Sequence, residues 1–276
     1  MTVTVATDEY GKGGVRIVKV VSDGIGDQVM DLTVEVRLRG RFADAYTGGD
    51  NSMVLPTDTM RNTVYAMAPE HLGPDIETYA VTLARHFLAS PAPVDEAEVS
   101  IVQRPWARVG DRPHAFRQVD TGRRTTTVVA GQDGVAVSAG ALGLRVLRTT
   151  GSAFEGFLVD GLTTLEPARD RLLSTEISAQ WRYTTNPADL GATWHDVVQR
   201  LVEVFCDHDS KSVQHTLYAM GEAVLAQHPE IDHIWMSLPN KHHVPFDVAR
   251  FGIAGGESVY YPFEVPHGVI EATIAR

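Results

Sequence analysis

The sequence predicts an α+β fold, with antiparallel sheets covered on one face by helices. Three observations predict it. Residues 15–23 (VRIVKVVSD) and 30–40 (MDLTVEVRLRG) alternate apolar and polar side chains around a GIGD turn, the pattern of a β-hairpin. Later segments carry apolar residues at helical spacing, so each has one face to bury. The order strand–strand–helix–helix–strand–strand then occurs twice. HFLASPAPVDEAEVSI (86–101) and EAVLAQHPEIDHIWMS (222–237) both run helix end, proline, aspartate, strand. The join falls near Gly131–Gly134, giving domains at 1–133 and 134–276. Each sheet ends in edge strands that need partners, which favours closure by oligomerisation.

The elements follow in order. After DNSMVLP (50–56), TDTMRNTVYAMA (57–68) reads as a helix with Thr57 as its N-cap. A second helix runs from about Asp75 to Ala89, with Ile76, Tyr79, Ala80, Leu83 and Phe87 as its apolar stripe. AEVSIVQRPWARV (97–109) and FRQVDTGRRTTTVVAG (116–131) read as strands. In the second half, GVAVSAGALGLRVLRTT (134–150) is strand or hairpin. STEISAQWRY (174–183) places Ile177, Ala179, Trp181 and Tyr183 on one strand face. TWHDVVQRLVEVF (193–205) is a helix with Trp194, Val197, Val198, Leu201 and Phe205 inward. SVQHTLYAMGEAVLA (212–226) is another helix, and IDHIWMSL (231–238) a strand.

Composition narrows the function classes. The 276 residues are 43% hydrophobic and 21% charged, as in soluble globular proteins. No apolar run is long enough to span a membrane, and the first residues lack a secretory signal pattern. The net charge of −11 repels phosphate backbones, so a nucleic-acid partner is not expected. Cys206 is the only cysteine, which excludes an intrachain disulfide and a cysteine zinc cluster and fits a reducing, cytoplasmic setting. Its place at the end of an apolar helical pattern suggests packing. Neither GxxxxGK[ST] nor GxGxxG occurs, so no phosphate-loop or dinucleotide signature supports a cofactor.

Several stretches carry groups suited to a small anion. At Thr57 and Asp58 the first-turn N–H groups lack helical partners and can meet an anion; on these residues alone, an ordinary helix start is the simpler reading. In HDSKSVQHTL (208–217), Asp209 or Ser212 can cap the helix, leaving the Val213 N–H free beside Gln214, whose amide can both donate and accept. Again a plain helix start is simpler. Arg169 and Arg171 follow Pro167; either guanidinium suits a planar anion, and either can form a surface pair with Asp170 or Glu166. Phe154 and Phe157 offer rings for stacking or for a core. Lys12 by itself reads as a solvated lysine.

SLPNKHHVPFD (237–247) raises the question of metal against proton transfer. Adjacent histidines in extended chain point to opposite faces, and with His233 they match no common zinc spacing. In that geometry Asn240 and His242 face one way, and Lys241 and His243 the other. An imidazole titrating near neutrality suits proton transfer.

Taken together, YGK (10–12), DNS (50–52), TDTMRNTVY (57–65), SAFEGF (152–157), TTLEPARDRLLST (163–175), SVQHTLYAMGEA (212–223), SLPNKHH (237–243) and GVIEATI (268–274) resemble urate oxidase, or uricase, the factor-independent urate hydroxylase. The resemblance runs nearly end to end in order. Pro56 stands where a small residue is usual, and Arg61 where lysine is common. The absence of a peroxisomal tripeptide points to the bacterial type, cytoplasmic. The resemblance implies two tandem tunnelling-fold domains per chain and four chains stacked into a barrel, with active sites at subunit interfaces. It implies oxidation of urate by dioxygen to 5-hydroxyisourate and hydrogen peroxide, with no cofactor. By motif match, Arg171 and Gln214 would clamp urate, Phe154 would stack on it, and the Val213 N–H would bind its edge. Thr57 and the Asp58 backbone would reach in from the neighbouring chain. Lys12, Thr57 and His242 would relay protons, and Asn240 would hold water or dioxygen above the ring. Two other classes stand beside this one: a metal-dependent purine or pterin hydrolase of similar fold, motivated by 11 histidines, and a non-catalytic purine-binding ring protein.

Overall fold

A computed structural model describes residues 3–22, 26–254 and 258–276. The chain forms two compact units. Unit 1 contains residues 1–140 and 182–194, and unit 2 contains 141–181 and 195–276. Both are antiparallel sheets with helices, so the α+β expectation holds.

In unit 1 the hairpin of β1 (Tyr10–Ser22) and β2 (Asp27–Gly40) forms as its alternation predicts, with Val15 opposite Val34 and Ile17 opposite Leu32. The predicted turn at Gly24 and Ile25 lies outside the described residues. A short helix, α1 (Ala43–Thr47), leads to α2 (Thr57–His71) and α3 (Ile76–Leu88). All five residues of the α3 stripe are fully buried. The sheet continues through β3 (Val94–Arg104). Pro105 lacks a ladder donor, and the predicted long strand breaks there. Beyond it, β4 (Trp106–Arg108) and β5 (Phe116–Gln118) make a separate small ribbon. β6 (Arg123–Gly131) then pairs with β3. Register aligns apolar rows across the strands: Val36, Val99 and Val128 form one, and Leu38, Ala97 and Ala130 another. These rows face the helices, since α3 packs on β3 and β6 and α2 packs on β1.

Three contacts fix α2 along β1. The Tyr10 hydroxyl accepts from the Leu55 N–H at 3.0 Å, just ahead of the helix. The Tyr65 hydroxyl donates to the Arg16 carbonyl at 2.6 Å. Lys19 Nζ donates to the carbonyls of Ala68, Pro69 and Leu72 at 3.1, 3.0 and 2.7 Å, capping the helix C-terminus. Replacing Lys19 with Met should cost about 2 kcal/mol, because three carbonyls lose a charged donor. Urea unfolding checks this; an unchanged midpoint would show that the cap contributes nothing.

β7 (Gly134–Arg148) begins in unit 1 and ends in unit 2. β8 (Leu173–Tyr183) buries Ile177, Ala179, Trp181 and Tyr183, the predicted face. α4 (Leu190–Asp207) buries Val197, Leu201 and Phe205, while Trp194 and Val198 are half-buried. Cys206 is exposed rather than packed, one residue past the inward Phe205 on the helical wheel. α5 (Val213–Gln227) packs on β9 (Ile231–Ser237) and β12 (Glu271–Ala275). β10 (Asn240–Pro245) pairs with β8 at Thr175 and with β11 (Tyr260–Gly268) along its length. Among the described residues, no helix is long and apolar enough to cross a membrane.

Candidate active site

The candidate residues fall into two groups, one in each unit. In unit 1, Lys12 lies on β1 opposite Val36, and Val15 lies opposite Val34. Three steps along β1 thus match two along β2, so the strand carries a bulge at Gly13 and Gly14, and Gly14 has φ +70. Strict alternation would put Lys12 and Val15 on opposite faces. The bulge puts Lys12 on the face of Val15, Ile17 and Val36, where α2 packs. Gly11 is required beside it, because a Cβ there would lie 1.9 Å from the Val36 carbonyl oxygen.

The position of α2 along β1 sets the level of Lys12. Tyr65 touches Arg16, and Lys19 touches the helix end, so strand and helix run in the same direction. Four residues back along the strand, one of them absorbed by the bulge, cover about 10 Å, which is about seven residues of helix. Lys12 is therefore level with the first turn of α2, at Thr57 and Asp58. The expected Thr57 N-cap is corrected here: Pro56 holds the cap position in extended geometry, φ −57 and ψ 137, and Thr57 is already helical. Proline favours that geometry and frees the threonine hydroxyl from capping. The Asp58 carboxylate pairs with Arg61 at 2.7 Å and accepts from Asn62, leaving its backbone N–H in the unpaired first turn.

In unit 2, a cavity of about 730 Å³ is lined by Arg171, Asn240, His242 and His243, among others. That volume suits a small heterocycle with room for a second small molecule. Arg169 and Arg171 both line it, and Arg171 is the half-buried one. Its Nε is buried without a hydrogen-bond partner, and burial pulls its proton affinity down. The carboxylate beside it in sequence is engaged elsewhere. Asp170 accepts from the Thr150 hydroxyl at 2.5 Å and the Gly151 N–H at 2.7 Å, which hold it below the usual carboxylate range. Arg169, the other candidate, is 92% exposed and leans toward Glu155. An orphaned buried guanidinium calls for an anion.

Phe154 approaches Arg171, with the guanidinium 5.1 Å from its ring centroid, and Phe157 stacks on it at 5.0 Å. Backbone bonds fix both arms: Phe154 and Ala168 exchange N–H···O bonds at 2.7 and 2.9 Å, and the Arg171 N–H donates to Ser152 at 2.8 Å. The next residue pair ties in α5. The Ala153 N–H donates to the Ser210 carbonyl, and the Ser210 N–H to Gly151. Of the two candidate caps for α5, Ser212 is the one used; its Oγ accepts from the His215 N–H at 3.1 Å. Val213 is buried at the helix start and Gln214 is exposed beside it.

His242 sits in the cavity wall. Burial first, then the positive charges of Arg171 and His267, hold its imidazole below the ordinary range. It is neutral at neutral pH and able to accept a proton. Asn240 lies two residues away on β10, anchored where the Thr175 hydroxyl donates to the Pro239 carbonyl at 2.9 Å. His243 also lines the cavity, and its Nδ1 is 3.0 Å from the Lys241 carbonyl oxygen. Alternation alone pointed it away, but the pairing of β10 with β11 is irregular between Asn240 and His242. Among the described residues, no three His, Cys, Asp or Glu side chains group as a metal ion would require.

These features define an α+β protein whose second unit holds a cavity lined by Arg171, Asn240 and His242, with Phe154, Val213 and Gln214 outside its lining. Its relatives are specific. The Uricase family model matches residues 8–129 and 137–271. The chain is 41% identical over 274 residues to the uricase of Arthrobacter globiformis, covering 99% of this chain and 90% of that protein. It is 35% identical over 282 residues to the uricase of Dictyostelium discoideum, covering 99% and 98%. The crystal structure of the Arthrobacter globiformis uricase superposes with a TM-score of 0.96 at 40% identity, covering 100% of this chain and 96% of that one. The chain belongs to the uricase family.

Proposed function

We propose that this chain oxidises urate with dioxygen, in purine degradation, giving 5-hydroxyisourate and hydrogen peroxide. Urate gives up two electrons, dioxygen takes them with two protons, and the hydroxyl of one water ends on the purine carbon. The observation that carries the reading is the orphaned Arg171 guanidinium in a cavity shared with Asn240 and His242, in a chain of the uricase family. Arg171 and Gln214 clamp the urate anion in its plane, the Val213 N–H meets its edge, and Phe154 stacks on it. Asn240 places water or dioxygen over the ring, and closing the pocket around them supplies orientation.

Proton transfer falls to Lys12, Thr57 and His242. An electron-rich urate dianion passes an electron to triplet dioxygen far more readily than its neutral form, so a base is the essential catalyst. Urate is itself the reductant, and the reading assigns no cofactor. Lys12, Thr57 and the Asp58 N–H come from a neighbouring chain. Each chain contributes two tunnelling-fold domains, 1–133 and 134–276, and four chains close a barrel. The stretch 130–136, between the two matched segments, encloses that boundary. A reducing cytoplasm suits the exposed free thiol of Cys206.

The test is direct. Chelator-treated protein with urate in an oxygen electrode should consume oxygen as the urate absorption band decays. No uptake and no decay would overturn the proposal.

A further inference from the structure

Two histidines beside the substrate helix have no part in the proposed reaction. His208 closes the turn after α4, and His215 lies in the first turn of α5. His208 Nε2 and His215 Nδ1 are 3.1 Å apart, with ring centroids at 4.3 Å. The Lys211 backbone N–H also reaches His215 Nδ1, at 3.4 Å. A backbone N–H can only donate, so His215 Nδ1 is an acceptor and His208 Nε2 carries the shared proton. A side chain without an acceptor at this place loses both bonds at once.

The turn held by this clasp ties together segments to which the proposed reading assigns urate contacts. Ser210 exchanges backbone bonds with Gly151 and Ala153, beside Phe154. Its hydroxyl donates to the Ser212 carbonyl and accepts from Thr216 at 2.7 Å. Ser212 caps α5 through the His215 N–H. Val213 and Gln214 come next. The charged groups facing the pair are Arg148 of β7, which donates to the carbonyls of Phe205 and His208, and Asp209. Burial, His215 and Arg148 disfavour a cation at His208, while Asp209 favours one.

We propose that His215 is a positioning residue for urate: its Nδ1 accepts from His208 and from the Lys211 N–H and so fastens the 208–211 turn to the start of α5. The proposal rests on the reading that Val213 and Gln214 hold urate. KM and kcat are to be measured for the parent, His215→Asn, His215→Leu and Gln214→Leu. Asparagine puts an acceptor near the place of Nδ1, and leucine puts none there. His215→Leu should raise KM about fivefold and leave kcat within about twofold, and His215→Asn should keep KM within about twofold of the parent. A Leu variant with unchanged KM, or an Asn variant as impaired as the Leu variant, overturns the proposal. If Gln214→Leu leaves KM unchanged, the underlying assignment of α5 to urate falls instead.

Discussion

Arg171→Ala should raise KM for urate by about 10²–10⁴ and lower kcat much less. A guanidinium hydrogen-bonded to an anion contributes about 1.5–3 kcal/mol per bond, and a bidentate pair therefore about 3–6 kcal/mol. The estimate belongs at the upper end for a structural reason. The Arg171 Nε is buried and unpartnered, and Asp170 is committed to Thr150 and Gly151, so no internal carboxylate competes with urate for it. Lysine at this position should recover only part of the loss, because an ammonium lacks the planar fork. A second signature separates this role from simple structural damage. Arg171 is one of the charges that keep His242 unprotonated. Without it, the acid limb of kcat should move toward higher pH, since the His242 imidazole then accepts a proton more easily. Steady-state decay of the urate band across pH reads both effects; an unchanged KM would remove Arg171 from the binding site.

Lys12→Ala should lower kcat by about 10²–10⁴, the usual contribution of a positioned acid–base group, with KM changed only a few-fold. Thr57→Ala should fall in the same direction. Because the two residues act as a unit, the double variant should be little worse than Lys12→Ala alone. Their shared level on β1 and α2 is the basis of that expectation, set by the Tyr10, Tyr65 and Lys19 contacts. Normal turnover by Lys12→Ala at neutral pH would show that the proton leaves by another route, and the relay would have to be rebuilt without it.

Much of the fold was legible because burial imposes a period. The α3 stripe from Ile76 to Phe87 and the β8 face from Ile177 to Tyr183 were read from spacing and are buried as read. Packing decides such positions residue by residue, so they leave a trace in sequence. Pro105 is visible as well, and it ends β3 where the alternation of the sequence runs on. Helix starts were less legible, since capping depends on one dihedral pair. Pro56 took the cap position assigned to Thr57, whereas Ser212 was one of two named options and is used.

The candidate site was legible only as motifs. On their own residues, Arg169 and Arg171 were equal candidates. What separates them is that Asp170 turns to the 150–152 loop, leaving one arginine at the surface and the other half-buried, with its Nε unpartnered. No local pattern encodes that choice. The clasp of His208 and His215 was missed for a related reason: its chemistry depends on which nitrogen accepts from the Lys211 N–H, which only three-dimensional placement reveals. Cys206 shows the limit of a periodic argument, since a single step around α4 carries it from core to solvent.

The glycines after Lys12 have a meaning that side-chain chemistry does not express. A pleated strand is a two-state alternator, and one additional residue advances it by half a cycle. Gly13 and Gly14 perform that advance between Lys12 and Val15. The direction of the Lys12 ammonium is therefore set by counting, not by what its neighbours are made of. Removing one glycine would leave every side chain of the proposed relay in the sequence and would return the strand to strict alternation, with its lysine facing away from α2. Chain length between two residues is then as much a catalytic parameter as the identity of either.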